Sequence, residues 1–519
     1  MTAAILALFL LQTPAAAPRG AISGVVARVG NPSEERLPDA RVELFRGPGT
    51  PLVTRTDGGG KFAFADLLPG VYEARVMRDG YVREEGAITL AAGQQRNDLR
   101  FVLRPASSLA GAVIDEYGEP VSNALIQALG LHYDPMGNPI LAPEFSTLVD
   151  DRGQYRLYWV DPGAYYISAS VTPDVVEFTG MPVKPPNPNA GPISRSYAPV
   201  FYPGVADPAG LEPLHVGSGE EANGIDMRLI PDATVALRGH VFSPAGEDAF
   251  VRLIPAGSVV TALLRLVPAR GGAFEIQGVT PGTYILAAET ASGHRGSMRI
   301  DVRDQDVNNL TIALQPPRPV SGQMYVASGP APDTRLIRIR LLPLEAGLAP
   351  PAPAPIQTGG VFGFDSVMSG GYLIALDGLP GESYLSAARF GQNTSILEEG
   401  VILAGAPAPI EIVIGTDGGR VQGMTAPGVR VVLVPNAERR RPDLVRVVDS
   451  DAKGEFTIHG IAPGDYMLFA WERVEPNAYL NATFLARYAE KSVPVHVESG
   501  ATLTANVTAI RAAESGTAP

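Results

Sequence analysis

The six histidines are the side chains best suited to metal binding or acid–base catalysis in this cysteine-free chain of 519 residues. Zinc peptidases bind their metal through histidines and a glutamate at short, fixed spacing. Here no histidine has glutamate at the third following position, and no two histidines are four residues apart. They are His132, His215, His240, His294, His459 and His496. We interpret each as a side chain that either has its hydrogen-bond partners within the fold or lies on the surface.

Acidic residues recur shortly before a repeated aromatic motif. Asp57, Asp150 and Asp451 each precede a glycine by three residues. Asp449-x-Asp451-x-x-Gly454 resembles part of a calcium loop but lacks the glutamate required at the twelfth position. Aspartate commonly caps the backbone of a turn, so we predict turn caps. Neither a Gly-x-Ser-x-Gly nucleophile motif nor a phosphate-binding glycine motif is present. The sequence therefore predicts no catalytic residue, no metal and no cofactor.

Aromatic side chains are the remaining candidates, since glycan recognition on β-sandwiches uses flat rings beside polar groups. Trp471 has the opposite parity to Tyr466 in a predicted strand, so we expect it to face outward. Three further ligand-stacking candidates lie in a Pro-rich stretch: Tyr197, Phe201 and Tyr202. In the alternative interpretation, these three pack the stretch against its own sandwich. Trp159 shares the parity of Leu157, which predicts a core position.

Five internal repeats define the elements that must position these residues. Each repeat contains Gly-x-aromatic, a turn with Pro-Gly or Ser-Gly, and a tyrosine ten residues after the aromatic. The aromatic–tyrosine pairs are Phe62–Tyr72, Tyr155–Tyr165, Phe274–Tyr284, Phe362–Tyr372 and Phe456–Tyr466. An upstream glycine opens each repeat, namely Gly24, Gly111, Gly239, Gly322 and Gly423. Five copies with one spacing indicate tandem modules.

Each repeat predicts a series of short strands. Residues 40–45 alternate apolar and polar side chains, which is typical of a strand with one buried face. Gly and Pro total about a fifth of the chain and punctuate turns. We therefore predict an all-β fold, a tandem array of about five seven-stranded, two-sheet β-sandwich modules.

The repeat signals also predict boundaries. A signal peptide covers 1–17 and a polar tail covers 513–519. Between them lie module 1 (20–105), module 2 (106–231), module 3 (232–317), module 4 (318–416) and module 5 (417–512). Module 2 carries a Pro- and aromatic-rich insertion at 172–213, and module 5 carries a short helical insertion at 478–492.

The motif Thr56-Asp57-x-x-Gly60-x-Phe62, followed by Leu67-x-Pro69-Gly70-x-Tyr72 and Gly80-Tyr81, resembles the carboxypeptidase regulatory-like domain family. It is similar also to collagen-adhesin B-type repeats and to starch-binding-like sandwiches. The resemblance implies a transthyretin-like fold in exported bacterial proteins. It covers modules 1, 2 and 5 well and modules 3 and 4 more loosely. It implies no particular function, because one fold supports many.

The N-terminal residues and the charge bear on location and partners. Residues 3–11 are apolar, a break follows at 12–14, and alanines at 15–17 suit cleavage, so we predict a secretory signal. No later segment has transmembrane length. The net charge of −13 argues against nucleic acid as a partner. The predicted location is periplasmic, outer-surface or secreted.

These observations predict a non-catalytic, exported binding or scaffold protein whose partner is a glycan or a surface protein. Two alternatives stay open. One is a purely structural cell-envelope stalk or a protein–protein adhesion module. The other is a cryptic hydrolase or peptidase accessory with its site in the module 2 insertion. The sequence defines neither the ligand nor the oligomeric state.

Overall fold

The computed structural model describes residues 18–512 except 30–34, 48, 172–196, 207, 209, 232–233, 244–245, 257–264, 328–332, 345–347, 349, 392–393, 404–407 and 437–440. In this part of the chain the strands form ten sheets, and the sheets follow one another in pairs along the sequence. The predicted all-β fold of tandem sandwich modules is confirmed. The predicted signal peptide and C-terminal tail lie outside the described residues.

Modules 1 and 2 contain the first seventeen strands. Module 1 has β1 (Gly20–Arg28), β2 (Glu35–Arg36), β3 (Arg41–Phe45), β4 (Leu52–Arg55), β5 (Lys61–Leu67), β6 (Gly70–Met77), β7 (Glu84–Leu90) and β8 (Gln95–Leu103). Module 2 has β9 (Ser107–Ile114), β10 (Leu125–Tyr133), β11 (Pro139–Leu148), β12 (Gln154–Val160), β13 (Gly163–Ser170), β14 (Val200–Phe201), β15 (Leu214–Val216), β16 (Glu221–Ala222) and β17 (Met227–Arg228).

Modules 3 to 5 contain the remaining described strands. Module 3 has β18 (Val235–Phe242), β19 (Ala249–Pro255), β20 (Arg265–Ala269), β21 (Ala273–Val279), β22 (Gly282–Thr290), β23 (Arg295–Val302) and β24 (Val307–Ala313). Module 4 has β25 (Arg318–Val326), β26 (Arg338–Pro343), β27 (Ala354–Pro355), β28 (Val361–Val367), β29 (Gly370–Asp377), β30 (Tyr384–Phe390), β31 (Thr394–Ser395), β32 (Val401–Leu403) and β33 (Ile410–Gly415). Module 5 has β34 (Gly419–Met424), β35 (Arg430–Pro435), β36 (Arg446–Asp449), β37 (Glu455–Ile461), β38 (Gly464–Trp471), β39 (Val493–Val497) and β40 (Thr502–Thr504).

Helical structure among the described residues is short. The α-helix α1 (Ala482–Ala486) lies in the module 5 insertion between two 3-10 turns, Ala478–Leu480 and Ala489–Lys491. Two further 3-10 turns are Thr358–Gly360 and Pro442–Leu444. No helix in the described part of the chain is long and apolar enough to cross a membrane.

Strand pairing repeats from module to module. The opening strand lies antiparallel to the aromatic strand and parallel to the closing strand, as β1 does with β5 and β8. The same arrangement joins β18 with β21 and β24, β25 with β28 and β33, and β34 with β37 and β40. The second sheet is built on the central pairs β3–β6, β19–β22, β26–β29 and β35–β38.

The glycine that opens each repeat is required by close contact between strands. A Cβ added at Gly24 would lie 2.3 Å from the carbonyl oxygen of Leu99, and one at Gly423 would lie 1.8 Å from that of Ala505. The other three copies meet a carbonyl oxygen at 2.1–2.4 Å: Gly111, Gly239 and Gly322. Only glycine permits this approach, which explains why the motif recurs.

The tyrosine that ends the repeat motif anchors its own turn in modules 1, 3, 4 and 5. The Tyr72 hydroxyl donates a hydrogen bond to the carbonyl of Leu68 at 2.7 Å, four residues earlier. The same bond is made by Tyr284, Tyr372 and Tyr466. Each ring lies in the core between the two sheets, so one side chain fixes both the turn and the packing.

The described residues fall into two compact units. The described residues of the first lie within Met1–Ala110, Arg156–Pro162 and Val216–Asn223, and those of the second lie within Gly111–Tyr155, Gly163–His215 and Gly224–Pro519. Modules 3, 4 and 5 lie in the second unit, and each has a hydrophobic core between its two sheets.

Candidate functional site: an exposed aromatic pair and an inter-module junction

Trp471 lies in a second hydrophobic core of module 5. Its side chain is fully buried and stacks on Phe469, with ring centroids 5.0 Å apart. Phe484 and Tyr488 of the insertion also contact its indole ring, at centroid distances of 6.1 and 6.0 Å. The predicted outward orientation with respect to the main core is correct, but the predicted exposure is wrong. The insertion covers that face of the sheet, so the ring has no surface on which a ligand could stack.

The module 2 candidates lie largely inside as well. Phe201 is fully buried in a cluster with Leu129 and Leu141, on the outer face of the sheet that contains β10 and β13. Tyr197 and Tyr202 are half-buried. The alternative interpretation, that the stretch packs on its own sandwich, fits Phe201. The first part of the insertion, 172–196, lies outside the described residues, so the hydrolase alternative placed there stays a hypothesis.

A β-bulge near the end of the aromatic strand changes the parity of its last residues. In module 1, Ile22 pairs with Phe64 but Gly20 pairs with Leu67, so β5 has one extra residue. Modules 3, 4 and 5 show the same shift. A left-handed residue marks the bulge in three modules, at Asp66, Gly278 and Gly460, with φ between 55° and 67°.

Trp159 occupies this bulge position in module 2. Its φ is 55°, and its strand has the burial pattern of β5, with two exposed residues before a buried one. Val160 takes the core position, and Trp159 is 66% exposed. The prediction that Trp159 lies in the core is therefore wrong, because the bulge inserts one residue into the alternation.

Tyr158 and Trp159 together form an exposed pair, which we call the aromatic platform. Their ring centroids are 6.3 Å apart at an interplanar angle of 52°, and Tyr158 is 61% exposed. The guanidinium of Arg156 lies 5.3 Å from the centroid of the Tyr158 ring. Ser108 accepts a hydrogen bond from Arg156 at 2.9 Å, and Glu221 forms an ion pair with it at 3.3 Å. All five side chains belong to the first unit.

Sequence reasoning missed the platform, although alignment of the repeats contains the signal. The two exposed bulge residues are Tyr-Trp only in module 2. The other modules have Ala65-Asp66, Gln277-Gly278, Asp365-Ser366 and His459-Gly460 at this place. Small or polar residues are ordinary at a left-handed bulge, so two large rings there stand out.

The β10–β11 hairpin of module 2 contacts module 5 through His132. Its Nδ1 lies 2.8 Å from Glu475 Oε1, and its Nε2 lies 3.1 Å from Glu144 Oε1. The bond to Glu144 is the largest cause that raises the pKa of His132 to about 9, and Glu475 adds to it. His132 is therefore charged at neutral pH and bridges two carboxylates from different modules.

Further contacts close the same junction. Asn481 donates from Nδ2 to the carbonyl of Gly137 at 2.9 Å, while its Oδ1 accepts from the backbone of Phe484 and caps α1. The Tyr133 ring meets Phe484 edge-on at 5.9 Å. At the hairpin tip, Met136 packs on an apolar patch of module 4 formed by Leu342, Leu373 and Ala375. The hairpin thus contacts modules 4 and 5 within the second unit.

Modules 4 and 5 are also joined directly. Glu382 of module 4 accepts hydrogen bonds from Arg420 at 2.6 Å and from the backbone of Gly460 at 3.0 Å, and it lies 3.0 Å from His459 Nδ1. Arg441 donates to the carbonyl of Leu385 at 2.9 Å. These bonds fix the joint by direct contact between module surfaces.

The junction predicts a pH effect on stability. A histidine whose pKa rises from 6.5 to about 9 on folding stabilises the native state fully below pH 6.5, and this contribution is lost as pH rises through about 9. We expect wild type to be more stable than His132→Gln at pH 6, with the difference largely gone at pH 10. Thermal unfolding of both proteins at the two pH values measures this. An equal difference at both values would contradict the bridge.

The predicted turn caps are confirmed. Asp57 Oδ1 accepts hydrogen bonds from the backbone of Gly59 and Lys61, both at 2.8 Å. Asp150 and Asp451 make the equivalent pairs of bonds. The bond to Lys61 is the largest cause that lowers the pKa of Asp57. Among the described residues, no group of three or more His, Asp or Glu side chains could hold a metal ion.

The fold and the repeats define a chain of tandem β-sandwich modules. Residues 22–104 match the family model of the carboxypeptidase regulatory-like domain. The resemblance inferred from the repeat motif is thereby confirmed for that stretch. No curated protein matches the chain.

Several solved structures are similar to part of the chain. The Bacillus anthracis TIE protein is 13% identical over 57% of this chain and 51% of that one, with a TM-score of 0.17. BcpA, the major pilin subunit of Bacillus cereus, is 12% identical over 57% of this chain and 99% of that one, with a TM-score of 0.15. The shaft pilin SpaA from Lactobacillus rhamnosus GG is 12% identical over 41% of this chain and 98% of that one, with a TM-score of 0.19. The chain thus spans about half of the first of these proteins.

Proposed function

We propose that this chain is an exported, non-enzymatic scaffold protein that holds recognition surfaces in a fixed arrangement. The observation that carries the proposal is the β10–β11 hairpin, which contacts modules 4 and 5 through Met136, His132 and the backbone of Gly137. Modules that moved independently on flexible linkers would not make such contacts with modules that are far apart in sequence. Recognition of a glycan or of a surface protein is the second part of the proposal.

The chemistry of the junction suits permanent contact. It combines an apolar part around Tyr133 and Met136 with hydrogen bonds made by Asn481 and a charged bridge at His132. A charge-assisted hydrogen bond is worth more than a neutral one. Each group is partly buried and partnered, so separating the modules would expose apolar surface and break several bonds at once.

Hydrogen exchange tests the scaffold proposal. The double variant Met136→Ser/Glu475→Gln removes the apolar tip and one carboxylate of the junction and leaves the module cores intact. We expect faster amide exchange in 125–148 and in 472–492, because local opening becomes easier. The matched control, Met424→Ser/Glu490→Gln, makes the same substitutions at exposed positions and should exchange like wild type. Unchanged exchange in the junction variant would contradict a fixed scaffold.

Export rests on the apolar run at 3–11 and the small residues at 15–17. We expect the protein in the periplasmic or extracellular fraction of an expressing cell, with residues up to about 17 removed. Fractionation and the intact mass of the purified chain measure both. A cytoplasmic protein of full-length mass would contradict this part of the proposal.

The structural stalk without a ligand is the alternative reading. The exposed aromatic platform favours ligand recognition over a purely structural stalk. Two large solvent-exposed rings at a left-handed bulge contribute nothing that a stalk requires.

A further inference from the structure

We infer that the aromatic platform, Tyr158 and Trp159, is a binding site for a neutral glycan. The inference rests on the recognition part of the proposed function and gives it a location and a ligand class. The sugar rings would stack on Trp159 and Tyr158, and Arg156 and Glu221 would supply hydrogen bonds at the rim.

The backbone conformation of Trp159 indicates that its aromatic side chain has a functional role. A bulky side chain with φ of 55° is a conformational outlier. The corresponding residues of modules 1, 3 and 5 are Asp66, Gly278 and Gly460, which tolerate this conformation better. Outliers of this kind cluster at ligand sites. The bulge places both rings of the pair on the solvent side of one strand, where a regular strand would expose only one.

The platform is preorganised for a flat ligand. It stands on a strand, and strands position side chains more exactly than loops do. Tyrosine and tryptophan have only two side-chain torsions, so little entropy is lost when a ligand binds. Arg156 is held beside Tyr158 by Ser108 and by Glu221. The site therefore presents two apolar faces beside a fixed donor and an acceptor.

The size of the platform favours a sugar over a protein partner. An aromatic side chain offers roughly 150–250 Å², so two rings that are 61% and 66% exposed present on the order of 250 Å². A standard protein interface buries about 800 Å² on each partner. One or two pyranose rings match the smaller area, and their C–H faces and hydroxyl edges match apolar rings with polar neighbours.

The local charge favours a neutral glycan. Arg156 is paired with Glu221 at 3.3 Å, which leaves no unbalanced positive charge on that guanidinium for an acidic polymer. The chain as a whole has a net charge of −13, which repels polyanions.

Isothermal titration of the full-length protein with cellohexaose, maltohexaose and chitohexaose tests the site. We expect saturable binding of at least one of them, and a dissociation constant at least about tenfold higher for Trp159→Gly and Trp159→Asn. Both variants keep a residue that tolerates positive φ, so the fold is preserved. Tyr117→Ala is the matched control, because it removes a ring that is 71% exposed but not part of the platform, and it should bind like wild type.

The outcomes separate this inference from the proposed function. Binding by wild type that persists in both Trp159 variants would overturn the platform and leave glycan recognition standing. No binding by wild type would overturn both the platform inference and the proposal of glycan recognition, and it would leave the proposed scaffold role untouched. Binding of a protein instead, lost in the Trp159 variants, would overturn the glycan as occupant.

Discussion

Trp471→Ala lowers the free energy of unfolding of module 5 by about 3–5 kcal/mol, the range for truncating a buried tryptophan or phenylalanine. Trp471 is fully buried between Phe469, Phe484 and Tyr488. Its removal leaves a cavity lined by the sheet on one side and by the insertion on the other. Because these rings attach the insertion to β35 and β38, we also expect the insertion to exchange amide hydrogens faster. Calorimetry and hydrogen exchange measure the two effects.

Trp471→Phe is the conservative control. It keeps an aromatic ring in the cluster, and the indole Nε1 that it removes is buried without a hydrogen-bond partner. Deleting an unsatisfied donor offsets part of the lost packing, so the loss should be clearly smaller than for alanine. In Trp471→Ala the only tryptophan left is Trp159, and its emission should stay that of an exposed indole. A stable Trp471→Ala protein with unchanged exchange would contradict the buried role.

The fold could be predicted from the sequence because the backbone geometry of each module requires particular residue types in the repeat motif. Gly24 and Gly423 are glycines since a neighbouring carbonyl leaves no room for Cβ. Tyr72 and Tyr466 are tyrosines since the ring fills the core and the hydroxyl closes the turn. Such requirements depend on residues close in sequence or on the paired strand, and they return in each copy of the module.

The same reasoning failed at both tryptophans, for different reasons. Parity gave the correct face for Trp471, but parity does not tell whether another segment covers that face, and here the insertion does. At Trp159 parity itself fails because the bulge adds one residue. A bulge can be read from sequence when copies are aligned, since its left-handed position is Asp or Gly in three other modules.

The junction had no sequence signal. His132 and Glu475 are 343 residues apart, and neither lies in a recurring motif. Pairing of a histidine with a distant carboxylate depends on how whole modules pack. Only the structure shows that the hairpin of module 2 reaches modules 4 and 5.

Gly423→Ala tests the close strand contact that the repeat motif encodes. The new methyl group would lie 1.8 Å from the carbonyl oxygen of Ala505 and 2.9 Å from the Phe456 ring. The backbone that follows β40 must move away from β34, and the bond from the amide of Ala505 to the carbonyl of Gln422 must stretch or break. Overpacking of this kind typically lowers the free energy of unfolding by about 1–3 kcal/mol. We expect a value near the upper end here, because the new methyl group would meet backbone on one side and a core ring on the other.

Fluorescence isolates the effect in module 5. In a Trp159→Phe background Trp471 is the only tryptophan, so urea unfolding followed by its emission reports on the module that contains Gly423. We expect the midpoint to fall for Gly423→Ala. Gly363→Ala is the matched control in calorimetry of the whole chain: its new methyl group would meet nothing closer than 3.9 Å, and a less flexible unfolded chain should make the protein equally or slightly more stable. The opening glycine makes this contact in all five modules. An unchanged urea midpoint for Gly423→Ala would therefore remove the physical explanation for the recurring motif. A loss of stability confined to module 5 would establish the glycine as the residue that allows the closing strand to approach.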